Sequence, residues 1–258
     1  MFWILLALLI LTPQSVIGEN KEKNIKNIKL TTKNNLILKG PVNEKSVSRI
    51  IYELNLLDDR KNIYLYLDTP GGEVESGQRL ISEVINHNIS CIAERAYSMG
   101  FAILQSCYKR YILRHGKLMM HQVSFGVQND LGRIENYVNF VQQMEFEMNQ
   151  MMASRIQMHP TAFRERVKDE WWLHGFFATT ANCADEIVTV SCSRELTKSN
   201  YTQTKGSYDM IYSKCPLVLN EVDKKKNKNK DDTFFFEFLT TDGYEKYDTR
   251  FNKLMMQN

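Results

Sequence analysis

Apolar positions follow two alternating spacings along much of the chain. The stretches "NLILKG", "NIYLYLD" and "ISCIAE" are short, nearly continuous apolar runs, which is typical of strands buried on both faces of a sheet. Between them, apolar residues recur every three or four positions, which predicts one helix beginning near Asn43 and another over residues 74–85. This alternation predicts an α/β fold of repeated βαβ units with a mostly parallel sheet.

The pattern continues beyond "ISCIAE" with a helix predicted to begin near Ser98. Strands "RYILR" and "KLMMH" follow, joined by a predicted turn at His115 and Gly116. An apolar stripe rich in methionine predicts one long helix over residues 131–158, whose methionines suit packing within or between subunits. The segment "CADEIVTV" predicts a last strand, and beyond residue 192 the regular pattern decays.

The two ends of the chain differ in composition from its middle. Residues 2–11 are apolar but shorter than the ~20 residues of a membrane span, and Val16 and Gly18 suit a signal-peptidase site. We expect a signal peptide over residues 1–18, which predicts the secretory pathway or the extracellular space; left uncleaved, it would anchor the chain to a membrane. The remaining predicted parts are a polar arm (19–34), one domain (35–195) and a C-terminal extension (196–258), partly disordered over about 223–232.

Composition excludes several classes of function. The net charge of +3 in 258 residues gives no electrostatic reason to expect nucleic-acid binding. No CxxC pair occurs, so we expect neither a zinc nor a thioredoxin-type site, and we predict no metal and no cofactor. Of the five cysteines, Cys91 and Cys107 lie in apolar runs and are predicted to be buried thiols. Cys192 and Cys215 flank a polar stretch and suit a disulfide, and the odd count leaves at least one cysteine unpaired.

The candidate chemistry centres on Ser98 and His121. The carboxyl ends of parallel strands share one edge of a sheet, and Ser98, His121 and the glycines of "TPGGE" all follow predicted strands. A serine hydroxyl becomes a nucleophile when a base takes its proton, and histidine suits that role. A helix that begins at Ser98 also leaves backbone N–H groups free to bind an oxyanion, with Met99 as the first donor and the Gly71–Gly72 loop as the second. The simpler alternative is that Ser98 only caps the helix.

Four segments in order resemble the Clp-type proteolytic subunits, serine peptidases of the ClpP/crotonase fold. The resemblance runs from about Asn35 to Val190 and rests on "IYLYLDTPGGEVESG", "AYSMGFAIL", "LMMHQ" and "ADEIV". It implies Ser98 as nucleophile, His121 as general base, and Gly72 and Met99 as oxyanion donors. It also makes residues 125–158 the handle helix that interlocks subunits, which implies a homo-oligomeric ring or two stacked rings.

The acidic member of the triad has two candidates in "KDEWWLHGFFA". Counting back without gaps to the family's aspartate selects Glu170, whereas matching the residue type selects Asp169. Either carboxylate can orient the imidazole of a triad histidine. The sequence leaves both open.

The resulting hypothesis is a serine endopeptidase that cleaves peptides or unfolded proteins. One alternative is an inactive scaffold or adaptor with the same fold; another is a membrane-associated serine–lysine peptidase of the signal-peptide-peptidase type, suggested by the apolar N-terminus. Members of the family usually work with an ATP-driven unfoldase, but the signal peptide and the altered arm leave that partnership open. The chain lacks a GxxxxGK[ST] motif, so we do not expect it to hydrolyse ATP itself.

Overall fold

The structure is a computed structural model that describes residues 25–57 and 61–226. The predicted signal peptide (1–18) and residues 227–232 of the predicted disordered segment lie outside the described residues. By the density of its internal contacts the chain divides into two units. Of the described residues, the larger unit contains those up to Asn200 and Ser213–Leu219, and the smaller contains Tyr201–Tyr212 and residues 220–226.

The large unit is a mixed α/β fold around a mostly parallel sheet, as the sequence predicts. Its strand order is β1-β7-β5-β4-β3-β2, with β6 pairing antiparallel with β5. The elements in chain order are β1 (Asn27–Leu30), β2 (Asn35–Lys39), α1 (Glu44–Asn55), β3 (Tyr64–Thr69), α2 (Val74–Asn86), β4 (Ser90–Tyr97), α3 (Met99–Ser106), β5 (Arg110–Met120), α4 (Leu131–Ile156), α5 (Pro160–Arg166), β6 (Trp171–His174), α6 (Phe176–Thr180), β7 (Glu186–Cys192) and α7 (Arg194–Lys198).

Local sequence signals explain the first βαβ unit. The Asn43 side chain accepts a hydrogen bond from the Ser46 N–H, and Ser46 Oγ accepts one from the Asn43 N–H, which forms a capping box at the start of α1. Val47, Ile50 and Leu54 then lie one helical turn apart and are buried against the sheet. Such an apolar stripe, rather than intrinsic helix propensity, provides most of the stability of a helix this short.

Strand β5 differs from the prediction of two strands joined by a turn. Ile112 pairs with Ala93 and Lys117 pairs with Arg95, both in parallel register with β4. The chain therefore does not reverse at His115 and Gly116, and the extra residues on β5 form an irregularity within one strand. Gly116 fits there because a Cβ atom would lie 2.7 Å from the carbonyl oxygen of Ala93.

Other elements carry little signal in the sequence. Strand β1 lies in the predicted polar arm and pairs in parallel with β7, which buries Ile28 and Leu30. In the small unit an antiparallel sheet of order β10-β9-β8 comprises β8 (Asn200–Lys205), β9 (Tyr208–Ser213) and β10 (Glu221–Lys226). Strand β10 is exposed along its whole length, so main-chain pairing rather than an apolar pattern defines it.

The cysteines form two disulfides. Cys192 and Cys215 pair, as their positions suggest. Cys91 and Cys107 are buried as predicted, but the prediction of free thiols is wrong, because they too form a disulfide. The disulfide joins the start of β4 to the residue after α3. The apolar pattern of the sequence indicates that both cysteines are buried but not that they lie next to each other. The unpaired cysteine is Cys183, and burial raises the pKa of its thiol to about 12.

Helix α4 matches the long helix predicted over residues 131–158. Asp130 caps its start by accepting a hydrogen bond from the Arg133 N–H, and Gln157 ends it in a left-handed conformation. Its C-terminal half buries Met148 and Met152, whereas aromatic side chains along it are exposed. Among the described residues, no helix is both long and apolar enough to cross a membrane.

Candidate active site

Ser98 lies in a strained backbone conformation between β4 and α3. Its φ is 51° and its ψ is −116°, in a region that a residue with a Cβ atom adopts only at an energetic cost. The Ser98 N–H donates to the Met119 carbonyl on β5 (2.8 Å), and the Ser98 carbonyl accepts from the Phe101 N–H (2.9 Å). The hydroxyl itself caps nothing, so the simpler explanation of Ser98 as an ordinary N-cap is wrong.

The glycine loop after β3 packs directly against Ser98. A Cβ atom built on Gly71 would lie 2.7 Å from Ser98 Cβ and 3.1 Å from Met99 N, and φ at Gly71 is +95°. Gly72 has a φ of +148° and is bridged to Val42, whose N–H donates to the Gly71 carbonyl (2.8 Å). Both positions therefore require glycine, and the structure brings together two of the three segments expected at the sheet edge.

Two backbone donors at this junction have no partner within the described part of the chain. The Met99 N–H belongs to the first turn of α3, and the Gly72 N–H is left out of the bridge to Val42. Met99 is itself fixed, since its side chain fills the space that a Cβ atom on Gly77 of α2 would occupy. Rigid, unpaired N–H groups beside a hydroxyl can bind the oxyanion of an acyl-transfer intermediate.

His121 lies at the end of β5, one residue beyond the ladder. Parallel pairing of Tyr97 with Met119 puts the ends of β4 and β5 side by side, so His121 and Ser98 share one edge of the sheet. The His121 Nδ1 atom is hydrogen-bonded to the carbonyl of Gln122. A carbonyl only accepts, so Nδ1 is the donor in this contact, and Nε2 has no hydrogen-bond partner among the described residues. No hydrogen bond joins His121 to Ser98, Asp169 or Glu170 in the described structure.

The pairing of β5 with β6 fixes the surroundings of His121. Met120 pairs with Trp171 in antiparallel register. The ladder ends at this pair, and Glu170 and His121 are the next residues beyond it on the two chain segments. Asp169 is one residue farther from the ladder. Both carboxylates are exposed, and Glu170 Oε2 accepts a hydrogen bond from the Trp172 indole N–H (2.8 Å).

Sequence reasoning missed three features that support this edge. Thr69 is completely buried, and its hydroxyl accepts from the Gly71 N–H (3.1 Å). The Arg95 guanidinium donates to Asp68 (2.8 Å), which ties the ends of β3 and β4 together. Trp172 contacts Tyr97 edge to face. Of these residues, only Asp68 and Thr69 could have been singled out from the sequence, since they end β3 just before Pro70 and the two glycines.

The arrangement suits acyl transfer through a serine nucleophile. It offers a partly accessible hydroxyl, an imidazole at the same edge of the sheet and two fixed amide donors, while no hydrogen bond joins a carboxylate to the imidazole in the described structure. Among the residues the structure describes, no group of three or more histidine, cysteine or acidic side chains has the geometry of a metal site.

Comparison with known protein families agrees with this chemistry. The family model described as Clp protease matches residues 18–191. The match covers all four segments that carry the resemblance in the sequence, together with β1 to β6 and all but the last residue of β7. Members of this family usually form oligomeric rings and act on peptide substrates. Since the match spans well over half of the chain, the protein belongs to the Clp protease family of serine peptidases.

Proposed function

We propose that the protein is a serine endopeptidase that cleaves peptides or unfolded proteins with Ser98 as the nucleophile. The observation that carries this proposal is the strained Ser98 backbone, which turns the hydroxyl out of the helix cap beside two unpartnered N–H groups. Strain of this kind persists only where the surrounding packing imposes it, and it occurs preferentially at functional sites. Gly71 and Thr69 supply that packing here.

The reaction follows the general scheme of serine acyl transfer. His121 Nε2 takes the proton from Ser98 as the hydroxyl oxygen attacks the substrate carbonyl, and the N–H groups of Gly72 and Met99 bind the resulting oxyanion. His121 then gives the proton to the leaving amine. Water, activated by His121 in the same way, hydrolyses the acyl-enzyme and restores Ser98.

We assign the acidic role to Glu170 rather than Asp169. The β5–β6 register supports this choice, because Glu170 and His121 directly follow its last pair, Trp171 with Met120, whereas Asp169 is one residue farther away. In the active arrangement the Glu170 carboxylate replaces the Gln122 carbonyl as acceptor of the His121 Nδ1–H. A charged acceptor stabilises the imidazolium that forms during catalysis, which a neutral carbonyl does less well.

We propose that the active particle is a ring of identical subunits, either single or stacked in pairs. Helix α4 and its preceding loop present several large apolar side chains to solvent in the single chain: Phe125, Leu131, Tyr137, Phe140 and Phe146. Monomeric proteins rarely leave such a row uncovered. Assembly also offers a physical reason for the incomplete triad, since packing of α4 against a neighbour would order residues 121–130, which include His121. The native mass of the particle tests this.

Two disulfides and the apolar N-terminus support a location in the secretory pathway or outside the cell. Disulfides form and persist in oxidising compartments and are rare in the cytosol. Mapping the first residue of the mature protein tests cleavage after about Gly18, and a retained apolar segment would favour a membrane-anchored form.

The decisive experiment for the proposed function is labelling with a fluorophosphonate probe, together with hydrolysis of a short fluorogenic peptide. Ser98→Ala is expected to lose both, because the proposed mechanism requires the Ser98 hydroxyl as nucleophile beside the amide donors. His121→Ala is expected to reduce peptide hydrolysis by at least about 10³-fold. Wild-type turnover by Ser98→Ala would exclude the proposal.

The same experiment separates the alternatives. An inactive scaffold is favoured by the imidazole bonded to Gln122 rather than to a carboxylate, and it predicts no labelling of the assembled wild-type particle. A serine–lysine peptidase predicts that activity survives His121→Ala.

A further inference from the structure

The side chain of Trp172 makes two contacts that bear on the proposed site. Its indole N–H donates to Glu170 Oε2 at 2.8 Å. Its ring meets the Tyr97 ring edge to face, with the centroids 5.0 Å apart and the planes at 72°. Tyr97 immediately precedes Ser98, so one side chain connects the candidate acid to the residue next to the candidate nucleophile.

The sheet register fixes this connection. Tyr97 on β4 pairs with Met119 on β5, and Met119 pairs with Trp172 on β6. The three side chains therefore form a row across three neighbouring strands, on one face of the sheet. Aromatic pairs in this geometry hold their rings in a preferred orientation, which aims the indole N–H along β6 toward Glu170.

A glutamate side chain at this position has more conformational freedom than an aspartate side chain would have, so its carboxylate needs a partner to hold it in place. Its carboxylate is separated from the backbone by one more rotatable bond, and Glu170 is exposed and precedes the first residue of β6. An unrestrained carboxylate there would sample many positions, and only some of them face His121. A hydrogen bond from a fixed donor to a charged acceptor removes much of that freedom.

We propose that Trp172 is a positioning residue, whose indole N–H holds the Glu170 carboxylate at the end of the β5–β6 ladder, where His121 follows β5. This inference rests on the proposed function. It extends the site by a donor that does not touch the substrate and that acts only through Glu170. The exposed location of Trp172, with 52 % of its surface accessible, is consistent with a role in the site rather than in the core.

Trp172→Phe is the direct test, because phenylalanine keeps the contact with Tyr97 and removes the donor. We expect kcat for a short peptide to fall about tenfold with KM unchanged, the size expected for losing a hydrogen bond to a charged group. In a Glu170→Gln background the same substitution is expected to have no further effect, since the residue it acts through is already changed. Trp172→Gln, which restores an N–H donor, is expected to recover part of the lost kcat.

Trp171→Phe is the matched control. It also removes an indole N–H from β6, but the buried Trp171 Nε1 donates no hydrogen bond among the described residues. An unchanged kcat in Trp172→Phe, an equal loss in Trp171→Phe, or an undiminished loss in the Glu170→Gln background would each overturn the inference.

The fluorophosphonate probe distinguishes this failure from failure of the proposed function. A wild-type particle that is neither labelled nor active overturns both proposals. A wild type that is labelled at Ser98 and active, with a Trp172→Phe variant equal to it in kcat, overturns only the role of Trp172. Thermal unfolding of every variant verifies that the comparison is made between folded proteins.

Discussion

At the scale of single residues, the backbone conformation of Ser98 suits the proposed function but lowers local stability. A serine with φ of 51° carries backbone strain that glycine would not. The neighbouring contacts hold Ser98 in place, since its N–H and its carbonyl are both hydrogen-bonded. The site is thus maintained at the expense of local stability, as is common where geometry serves chemistry.

We predict that Ser98→Gly is more stable than Ser98→Ala by about 1 kcal/mol. Both variants lose the hydroxyl, but only glycine adopts the positive φ without strain. Chemical denaturation of the two variants gives the difference directly, and both should be inactive. Equal stabilities would mean that the backbone at position 98 is not strained.

The sequence was sufficient to predict where some residues of the candidate site lie in the fold, but not others. Ser98, His121 and the glycines lie at the ends of strands that the apolar pattern defines, so their convergence followed from topology. The choice between Asp169 and Glu170 depends on the register of β6 against β5, a pairing of residues about 50 positions apart that leaves no local pattern. The contact between Trp172 and Tyr97 depends on the same register.

At the scale of elements, the disulfide between Cys91 and Cys107 encloses the whole nucleophile segment. It joins the start of β4 to the residue that follows α3, with Ser98 between them in the chain, and both cysteines are buried. A cross-link of this kind limits how far β4 and α3 can separate. The elements that hold Ser98 are therefore coupled by a covalent bond as well as by packing.

We predict that the double substitution Cys91→Ala and Cys107→Ala lowers the free energy of unfolding by about 3 kcal/mol, the value expected for a loop of this length. It should also slow fluorophosphonate labelling of Ser98, because the strand–helix junction is less constrained. Denaturation curves and labelling rates measure the two effects.

The control is the corresponding double substitution of Cys192 and Cys215, which removes a disulfide with a sequence separation of 23 residues, against 16 for the first. It should destabilise the protein without slowing the labelling of Ser98. Equal slowing in both variants would show that the first disulfide has no particular effect on the site.

Elements were predictable to the extent that their side chains are buried in a regular pattern. Strands β2 to β4, the helices between them and α4 all have such patterns. Strands β1 and β6 have four residues each, too few to establish a period, and β10 has no buried residue at all. That β5 is one continuous strand was not predicted, because a glycine such as Gly116 usually indicates a turn. Here Gly116 lies at an irregularity in the pairing of β5 with β4.

At the scale of the whole large unit, a buried ionic network joins its last third to the sheet. Arg110 is 2 % exposed, and its guanidinium donates to Asp185, to Gln105 (2.7 Å) and to the Asn182 carbonyl (2.8 Å). Burial alone would raise the pKa of Asp185, but the hydrogen bonds and positive charge of Arg110, with Arg155 nearby, outweigh it and lower that pKa.

This network predicts a specific loss of stability in acid. A carboxyl group whose pKa is lowered on folding stabilises the protein above its unfolded pKa of about 3.9, and that contribution is lost as the pH falls through the folded value. Asp185→Asn should therefore be less stable than the wild type at pH 7, and the difference should shrink below about pH 4.

Asp130→Asn is the matched control, since Asp130 pairs with Arg133 at the surface and asparagine also caps a helix. Its stability should stay within about 0.5 kcal/mol of the wild type at pH 7. A pH-independent difference for Asp185→Asn would mean that packing rather than charge explains its effect.

The Cys91–Cys107 bond also determines how the nucleophile will appear in peptide mapping. Trypsin cuts after Arg79, Arg95 and Lys109, which releases Cys91 on one fragment and both Ser98 and Cys107 on the next. In a digest made without reductant, those two fragments remain joined. A mass search restricted to linear fragments would therefore overlook a modified Ser98, and comparison of digests before and after reduction would recover it while confirming the cross-link.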